Sequence, residues 1–147
     1  MGEQVVVPMN KDAPTPLPSE DNSARPVGIL VVDDHPEYLD AVSAFLSRLP
    51  RVRVVGTATN GRDAVHRVRE LSPDLVLLDI TMPVMDGIAA ARAIKGRPGA
   101  PLVVIVTAEA TLACSLAVAA SGADALVCKS EAAERLPVLV DQFFPAT

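Results

Sequence analysis

Aromatic residues are scarce in this chain of 147 residues, which has three phenylalanines, one tyrosine and no tryptophan. So few rings leave little with which to stack nucleic-acid bases or to build an aromatic interface hot spot. The net charge of −5 also argues against general affinity for nucleic acid. No apolar stretch approaches the roughly 20 residues of a membrane span, and no segment resembles a signal peptide. The composition therefore predicts a cytoplasmic protein that has no membrane span and binds no nucleic acid.

Cysteine is also rare, and Cys114 and Cys128 have neither metal-ligand spacing nor the pattern of a disulfide framework. Half of the residues are hydrophobic, which is enough for one domain with a proper core. The first 26 residues differ, because five prolines alternate there with polar residues and few apolar ones. Such a segment cannot offset the entropy cost of becoming ordered. We therefore predict a flexible Pro-rich tail over 1–26 and one folded domain over 27–144.

Strand and helix signals alternate from residue 27 onward. Short apolar or β-branched runs predict five strands, and residues at helical spacing separate them, with the last helix at about 131–144. Apolar runs of this length are typical of strands that are buried on both faces of a parallel sheet. Right-handed crossovers would then place helices on both faces. The pattern predicts a flavodoxin-like (βα)₅ doubly wound sheet with the strand order 2-1-3-4-5.

Four of these runs end on residues that could bind a metal or a phosphate. Asp33 and Asp34 follow the first strand and Asp79 ends the third, while Thr107 and Lys129 follow the last two runs. Parallel strands place these ends along one edge of the sheet, which is where open α/β sheets bind ligands. Carboxylate oxygens suit Mg²⁺, and a lysine and a hydroxyl suit phosphoryl oxygens. We therefore predict a Mg²⁺-dependent aspartyl-phosphate site.

The order of the motifs is similar to that of a known family. Asp33-Asp34, the loop Met82-Pro83-Val84-Met85-Asp86-Gly87 after Asp79, Thr107-Ala108 and Lys129 each fall at a predicted strand end or just after one. The set resembles the receiver domain of bacterial two-component response regulators, the CheY-like superfamily.

The resemblance implies a role for each residue of the site. Asp79 would be the phosphoacceptor, and Thr107 and Lys129 would contact the phosphoryl group. Asp34, Asp79 and the backbone carbonyl of Thr81 would bind Mg²⁺ directly, while Asp33 would often act through water.

The resemblance also implies a function. The chain would be a stand-alone, single-domain response regulator that accepts a phosphoryl group from a sensor histidine kinase or a histidine phosphotransfer protein. It would signal by protein–protein contact through the face formed by helix 4, strand 5 and helix 5, or it would pass the phosphoryl group on. No turnover of an external substrate is expected.

Three positions depart from the common pattern of the family. Leu126 stands where many receivers have a tyrosine or phenylalanine, and Ser130 stands where a proline often follows the lysine. The Lys129–Ser130 bond could be trans or a strained cis bond. Pro137 either interrupts a last helix that begins near Glu131 or is itself near the start of that helix. These departures motivate an alternative hypothesis, a receiver-fold interaction module that works without phosphorylation.

Two further residues, Asp86 and His35, and a third possible function have less support in the sequence. Asp86 is interpreted as a turn residue, because an aspartate beside a glycine usually has that role. His35 adjoins the acidic pair, but no second histidine, serine or cysteine nearby in the sequence would complete an acid–base site. A small Mg²⁺-dependent phosphatase is the third possibility, and the chain has no acid–base residue in a recognisable spacing to support it.

Overall fold

The structure is a computed structural model, and it describes residues 25–146. The predicted tail therefore lies almost entirely outside the described residues. Strands and helices alternate in the order β1 (Val27–Val32), α1 (Pro36–Ser47), β2 (Val52–Ala58), α2 (Gly61–Leu71), β3 (Leu75–Asp79), α3 (Gly87–Lys95), β4 (Leu102–Thr107), α4 (Leu112–Ser121), β5 (Ala125–Cys128) and α5 (Ala132–Phe143). A short 3₁₀ turn (Lys129–Glu131) joins β5 to α5.

All five strands pair in parallel, in the order β2-β1-β3-β4-β5. The predicted (βα)₅ architecture and the strand order 2-1-3-4-5 are therefore confirmed. The three central strands are buried along nearly their whole length, as their uninterrupted apolar sequences predict. Their carboxyl ends consequently lie side by side at one edge of the sheet.

The sheet separates two hydrophobic clusters, because successive side chains of a strand point to opposite faces. In β1, Ile29 and Val31 join the cluster that packs against α1 and α5, whereas Leu30 and Val32 join the cluster beneath α2, α3 and α4. Strands β3 and β4 divide their side chains in the same way. Both layers of helices are thus fixed to one rigid sheet. Within residues 25–146, no helix is long and apolar enough to cross a membrane.

The helices begin and end at residues with recognisable capping roles. The side chains of Asn60, Asp86 and Thr111 accept hydrogen bonds from backbone N–H groups in the first turns of α2, α3 and α4. The cap at Thr111 fixes the start of α4 at Leu112. At the other end of α4, Gly122 adopts φ of 89°, a left-handed conformation that suits glycine.

Pro137 lies within α5, five residues after the helix begins at Ala132. The first of the two alternatives is therefore correct, and the helix lacks the hydrogen bond that residue 137 would donate to Ala133. Burial of Leu136, Leu139 and Val140 against the core stabilises the helix despite this loss. The peptide bond between Lys129 and Ser130 is trans, since residues 25–146 contain no cis bond.

Replacing Pro137 with alanine should stabilise the domain. The variant can form the missing backbone hydrogen bond, and we expect the free energy of unfolding to rise by about 1–3 kcal/mol. Urea denaturation followed by circular dichroism measures this change. Pro50→Ala is the matched control, because Pro50 lies in the turn between α1 and β2, where no helical bond can be gained. An equal gain in both variants would contradict the assignment.

Candidate functional site

Three strand ends bring a lysine and two aspartates together. Lys129 follows β5, and its Nζ lies 2.8 Å from Asp33 Oδ2 and 3.7 Å from Asp79 Oδ1. Asp33 and Asp79 are buried, with 1% and 6% of their surfaces exposed. A buried carboxylate needs a nearby positive charge or hydrogen-bond donors to remain ionised. The ammonium of Lys129 supplies that charge to both aspartates.

The acidic pair after β1 also contacts His35. The backbone N–H of His35 donates to Asp33 Oδ1 over 2.8 Å. Its ring Nδ1 lies 3.0 Å from that same oxygen and 3.1 Å from Asp34 Oδ1. Ionised carboxylates only accept hydrogen bonds, so a proton on Nδ1 suits this arrangement. The imidazole, which is 67% exposed, therefore covers the solvent side of the acidic pair.

The side chains present fit a divalent cation. Potential ligand atoms of Asp33, Asp34, His35 and Asp79 all lie within 4.8 Å of one another. Asp34 Oδ1 is buried and accepts no hydrogen bond among the described residues, although His35 Nδ1 is close to it. Three carboxylates here face a single lysine ammonium. An oxygen-rich set with excess negative charge is what Mg²⁺ prefers.

The two aspartates after β1 differ in their contacts and in their exposure to solvent. Both carboxylate oxygens of Asp33 already contact a nitrogen, Oδ1 that of His35 and Oδ2 that of Lys129. Among the described residues, Asp34 has no contact with the lysine, and 30% of its side chain is exposed, compared with 1% for Asp33. The direct role of Asp34 and the water-mediated role of Asp33 as metal ligands stay predictions.

Burial and repulsion disfavour the ionised form of Asp79. Desolvation is the main reason that the pKa of its carboxyl is raised above 3.8, and the charges of Asp33 and Asp34 raise it further. Lys129 and a backbone N–H at Ile80 lower the pKa but do not cancel the increase. A cation bound among these carboxylates would favour the ionised form that a nucleophile requires.

Thr107 ends β4, the strand next to β3, and it is buried at the same edge. Its hydroxyl lies 3.3 Å from both the backbone N–H and the backbone carbonyl of Glu109, so it can accept from one and donate to the other. The hydroxyl is therefore engaged with its own loop. Thr81 lies in the loop two residues after Asp79, and the role of its carbonyl as a metal ligand stays a prediction.

A hydrogen bond across its base closes the loop that follows Asp79. The N–H of Gly87 donates to the carbonyl of Ile80 over 2.7 Å, and a side chain at Gly87 would collide with the carbonyl oxygen of Asp79. Only glycine allows this close approach. Asp86, interpreted as a turn residue, caps α3 by accepting from the N–H of Ala89 over 2.8 Å.

Sequence reasoning did not identify two side chains that contact the site. The sequence places His35 beside the acidic pair without a partner for acid–base chemistry, and Tyr38 belongs to none of the motifs. The ring of Tyr38 lies in the first turn of α1, with its centroid 4.2 Å from Lys129 Nζ. An aromatic residue in the first turn after the acidic pair must lie near this edge, which was the available signal. Its contact with a lysine 91 positions later depends on the tertiary fold.

The comparison with protein families agrees with this geometry. A sequence model described as the response regulator receiver domain matches residues 29–141. The chain belongs to this family. The resemblance seen in the sequence is thereby confirmed, and receiver domains generally bind Mg²⁺, for which the acidic cluster offers ligands.

Solved structures of the family have the same fold. The signal receiver domain of the response regulator NarL from Mycobacterium tuberculosis is 30% identical, with a TM-score of 0.76, and the alignment covers 80% of this chain and 96% of that one. The response regulator domain of Thermotoga maritima CheB is 28% identical, with a TM-score of 0.74 and coverage of 80% and 96%.

Curated relatives include much longer proteins. A protein-glutamate methylesterase/protein-glutamine glutaminase from Nocardioides sp. is 52% identical over 69 residues, which is 47% of this chain. One from Symbiobacterium thermophilum is 39% identical over 97 residues, which is 63% of this chain. The matched segments span only 19% and 27% of these relatives. The similarity therefore concerns their receiver portion.

Asp79→Asn should stabilise the metal-free fold at neutral pH. Because the pKa of Asp79 is raised in the folded state, its contribution to stability is present below pH 3.8 and is lost as the pH rises through the raised value. Asparagine cannot ionise and avoids that loss. With metal removed by EDTA, the variant should need more urea to unfold at pH 7, and the difference should disappear towards pH 3.8.

Asp40→Asn serves as the control for this experiment, since Asp40 is exposed on α1 and contacts none of the site carboxylates. Saturating Mg²⁺ should stabilise the wild type more than Asp79→Asn. A variant that is less stable than the wild type at pH 7 without metal would refute the electrostatic account.

Proposed function

We propose that this receiver accepts a phosphoryl group on Asp79, with Mg²⁺ as cofactor, from a sensor histidine kinase or a histidine phosphotransfer protein. The observation that carries the proposal is the gathering of three carboxylates and the Lys129 ammonium at the carboxyl edge of a receiver-family sheet. Aspartate is an established nucleophile that forms acyl phosphates. Phosphoryl transfer needs positioning and charge stabilisation more than acid–base groups, and this site supplies both.

The residues divide the work of the transfer. A carboxylate oxygen of Asp79 would bond to phosphorus while the bond to the donor's leaving group breaks and its electron pair departs with that group. The Lys129 ammonium, already 3.7 Å from Asp79 Oδ1, would stabilise charge on the phosphoryl oxygens. The Thr107 hydroxyl would leave its contacts with Glu109 and donate to one of those oxygens.

The metal would be held by oxygens of the acidic cluster. Asp34 and Asp79, with the carbonyl of Thr81, would bind Mg²⁺ directly, and Asp33 would contribute through water. The ion would neutralise charge on the transferring phosphoryl group. When no phosphoryl group is present, the Lys129 ammonium would reduce the repulsion between the carboxylates of Asp33 and Asp79.

Output through protein–protein contact, or through passing the phosphoryl group to a second histidine protein, is part of the same proposal. Helix α4 has no charged residue between Leu112 and Ser121, and Leu112 and Leu116 are 77% and 64% exposed. Together with β5 and α5 it would offer a partner an apolar face. We also propose that the protein acts as a stand-alone regulator in the cytoplasm and turns over no external substrate.

The alternative function is an interaction module that does not depend on phosphorylation. Leu126 favours it, because this half-buried side chain packs against the core beneath α2–α4 and provides no aromatic ring to respond to Thr107. A partner that binds the unmodified protein and Asp79→Ala equally well would support this alternative. Binding that requires phosphorylated Asp79 would exclude it.

Phosphorylation itself is tested with a small donor. Incubation with acetyl phosphate and saturating Mg²⁺ should add one phosphoryl group to the wild type, detected by intact-protein mass spectrometry. Asp79→Asn should show no incorporation, and EDTA should abolish incorporation in the wild type. Asp40→Asn, on the exposed face of α1, should react like the wild type. An unmodified wild type, with both acetyl phosphate and a panel of histidine kinases, would rule out the proposal.

A further inference from the structure

Lys129 is held by three groups, of which only two are charged. Its Nζ contacts Asp33 and Asp79, and the ring of Tyr38 lies on another side, with the centroid 4.2 Å away. Only 20% of the lysine side chain is exposed. A cation at this distance from a ring is attracted to the negative face of the π system, and the attraction is stronger where water is partly excluded.

The ring is itself held in place by the core. Tyr38 is half-buried and packs against the cluster between the sheet and helices α1 and α5. Burial, with smaller contributions from the charges of Asp33 and Asp79, raises the pKa of Tyr38 to about 12. A phenol is neutral at physiological pH even at its ordinary pKa of 10.0, so the ring presents a π face, not a phenolate oxygen, to the ammonium.

We propose that Tyr38 is a positioning residue for Lys129, whose ammonium it holds on a neutral aromatic surface between Asp33 and Asp79. The inference rests on the proposed function, because it concerns how Lys129 reaches the phosphoryl group. Lysine has a long flexible stem, so one carboxylate alone would not fix its position. A charged or amide side chain in place of Tyr38 would compete with the phosphoryl oxygens, whereas the ring attracts the ammonium without binding it through a lone pair.

The contact also explains how Lys129 can change partners. In the described state the ammonium is closer to Asp33 than to Asp79. Contact with phosphoryl oxygens on Asp79 requires it to shift away from Asp33. A ring face attracts a cation within about 6 Å of its centroid, so Tyr38 can still support the ammonium after a small shift from its present 4.2 Å.

Two substitutions at Tyr38 separate the ring from its hydroxyl. Tyr38→Phe keeps the π face, and phosphorylation by acetyl phosphate at saturating Mg²⁺ should stay within about twofold of the wild-type rate. Tyr38→Leu keeps an apolar side chain without a π face, and the rate should fall roughly 2- to 30-fold, as expected for a partly buried cation–π contact. The affinity for Mg²⁺ should be unchanged in both variants, since the ring contacts the lysine and not the metal ligands.

A double-mutant cycle shows whether the effect passes through Lys129. In a Lys129→Met background, Tyr38→Leu should cause no further loss of the residual rate. A structural role for the ring would lower the rate in both backgrounds. The inference is overturned if the leucine variant reacts like the wild type, if phenylalanine fails to rescue the rate, or if the loss persists in the methionine background.

A second measurement does not depend on phosphorylation and keeps the two proposals distinguishable. Protons on the terminal methylene of Lys129 should show an upfield ring-current shift in the NMR spectrum of the unmodified protein. The shift should persist in Tyr38→Phe and disappear in Tyr38→Leu. If it is present while acetyl phosphate never modifies Asp79, the contact exists but the proposed function fails. If it is absent from the wild type, the positioning role fails regardless of activity.

Discussion

The site depends on the ion pairs that the ammonium of Lys129 makes with two aspartates. Within residues 25–146 this ammonium is the single lysine charge among three carboxylates, two of which are buried, and it bridges the ends of β1, β3 and β5. Removing one partner of a buried ion pair leaves an uncompensated charge, at a cost of about 3–5 kcal/mol. The lysine is therefore structural in the resting domain as well as suited to act on a phosphoryl group, and these two roles compete for the same nitrogen.

The aspartates at the two edges of the sheet differ in their hydrogen-bond partners. At the amino edge, Asp74 accepts from the N–H of Gly28, and Asp124 accepts from the N–H of Val103 and from Lys95, all at 2.8–2.9 Å. Those carboxylates stabilise the starts of strands. At the carboxyl edge there are too few hydrogen-bond donors for the three carboxylates of Asp33, Asp34 and Asp79. Aspartates therefore stabilise the fold at the amino edge, whereas at the carboxyl edge they repel one another. Such a local conflict is expected at a functional site.

Most of the fold followed from sequence because local patterns and global packing agree. Uninterrupted apolar runs indicated buried parallel strands, and the residues after them indicated the site, since parallel strands must end at one edge. Pro137 shows where local rules are insufficient, because burial of its neighbours stabilises a helix that propensity alone disfavours. The contacts of His35 and Tyr38 were not predicted, since they depend on side-chain directions set by tertiary packing.

The hydroxyl of Thr107 has a further consequence. Because it already lies beside the N–H and carbonyl of Glu109, any movement towards a phosphoryl group exchanges existing hydrogen bonds for new ones. A neutral hydrogen bond contributes only about 0.5–1.5 kcal/mol, whereas one to a charged oxygen contributes about 1.5–3 kcal/mol, so the exchange would be favourable only while a charged oxygen is present. Loss of that charge would then return the hydroxyl to Glu109, because the contacts it leaves are intact in the protein's own backbone.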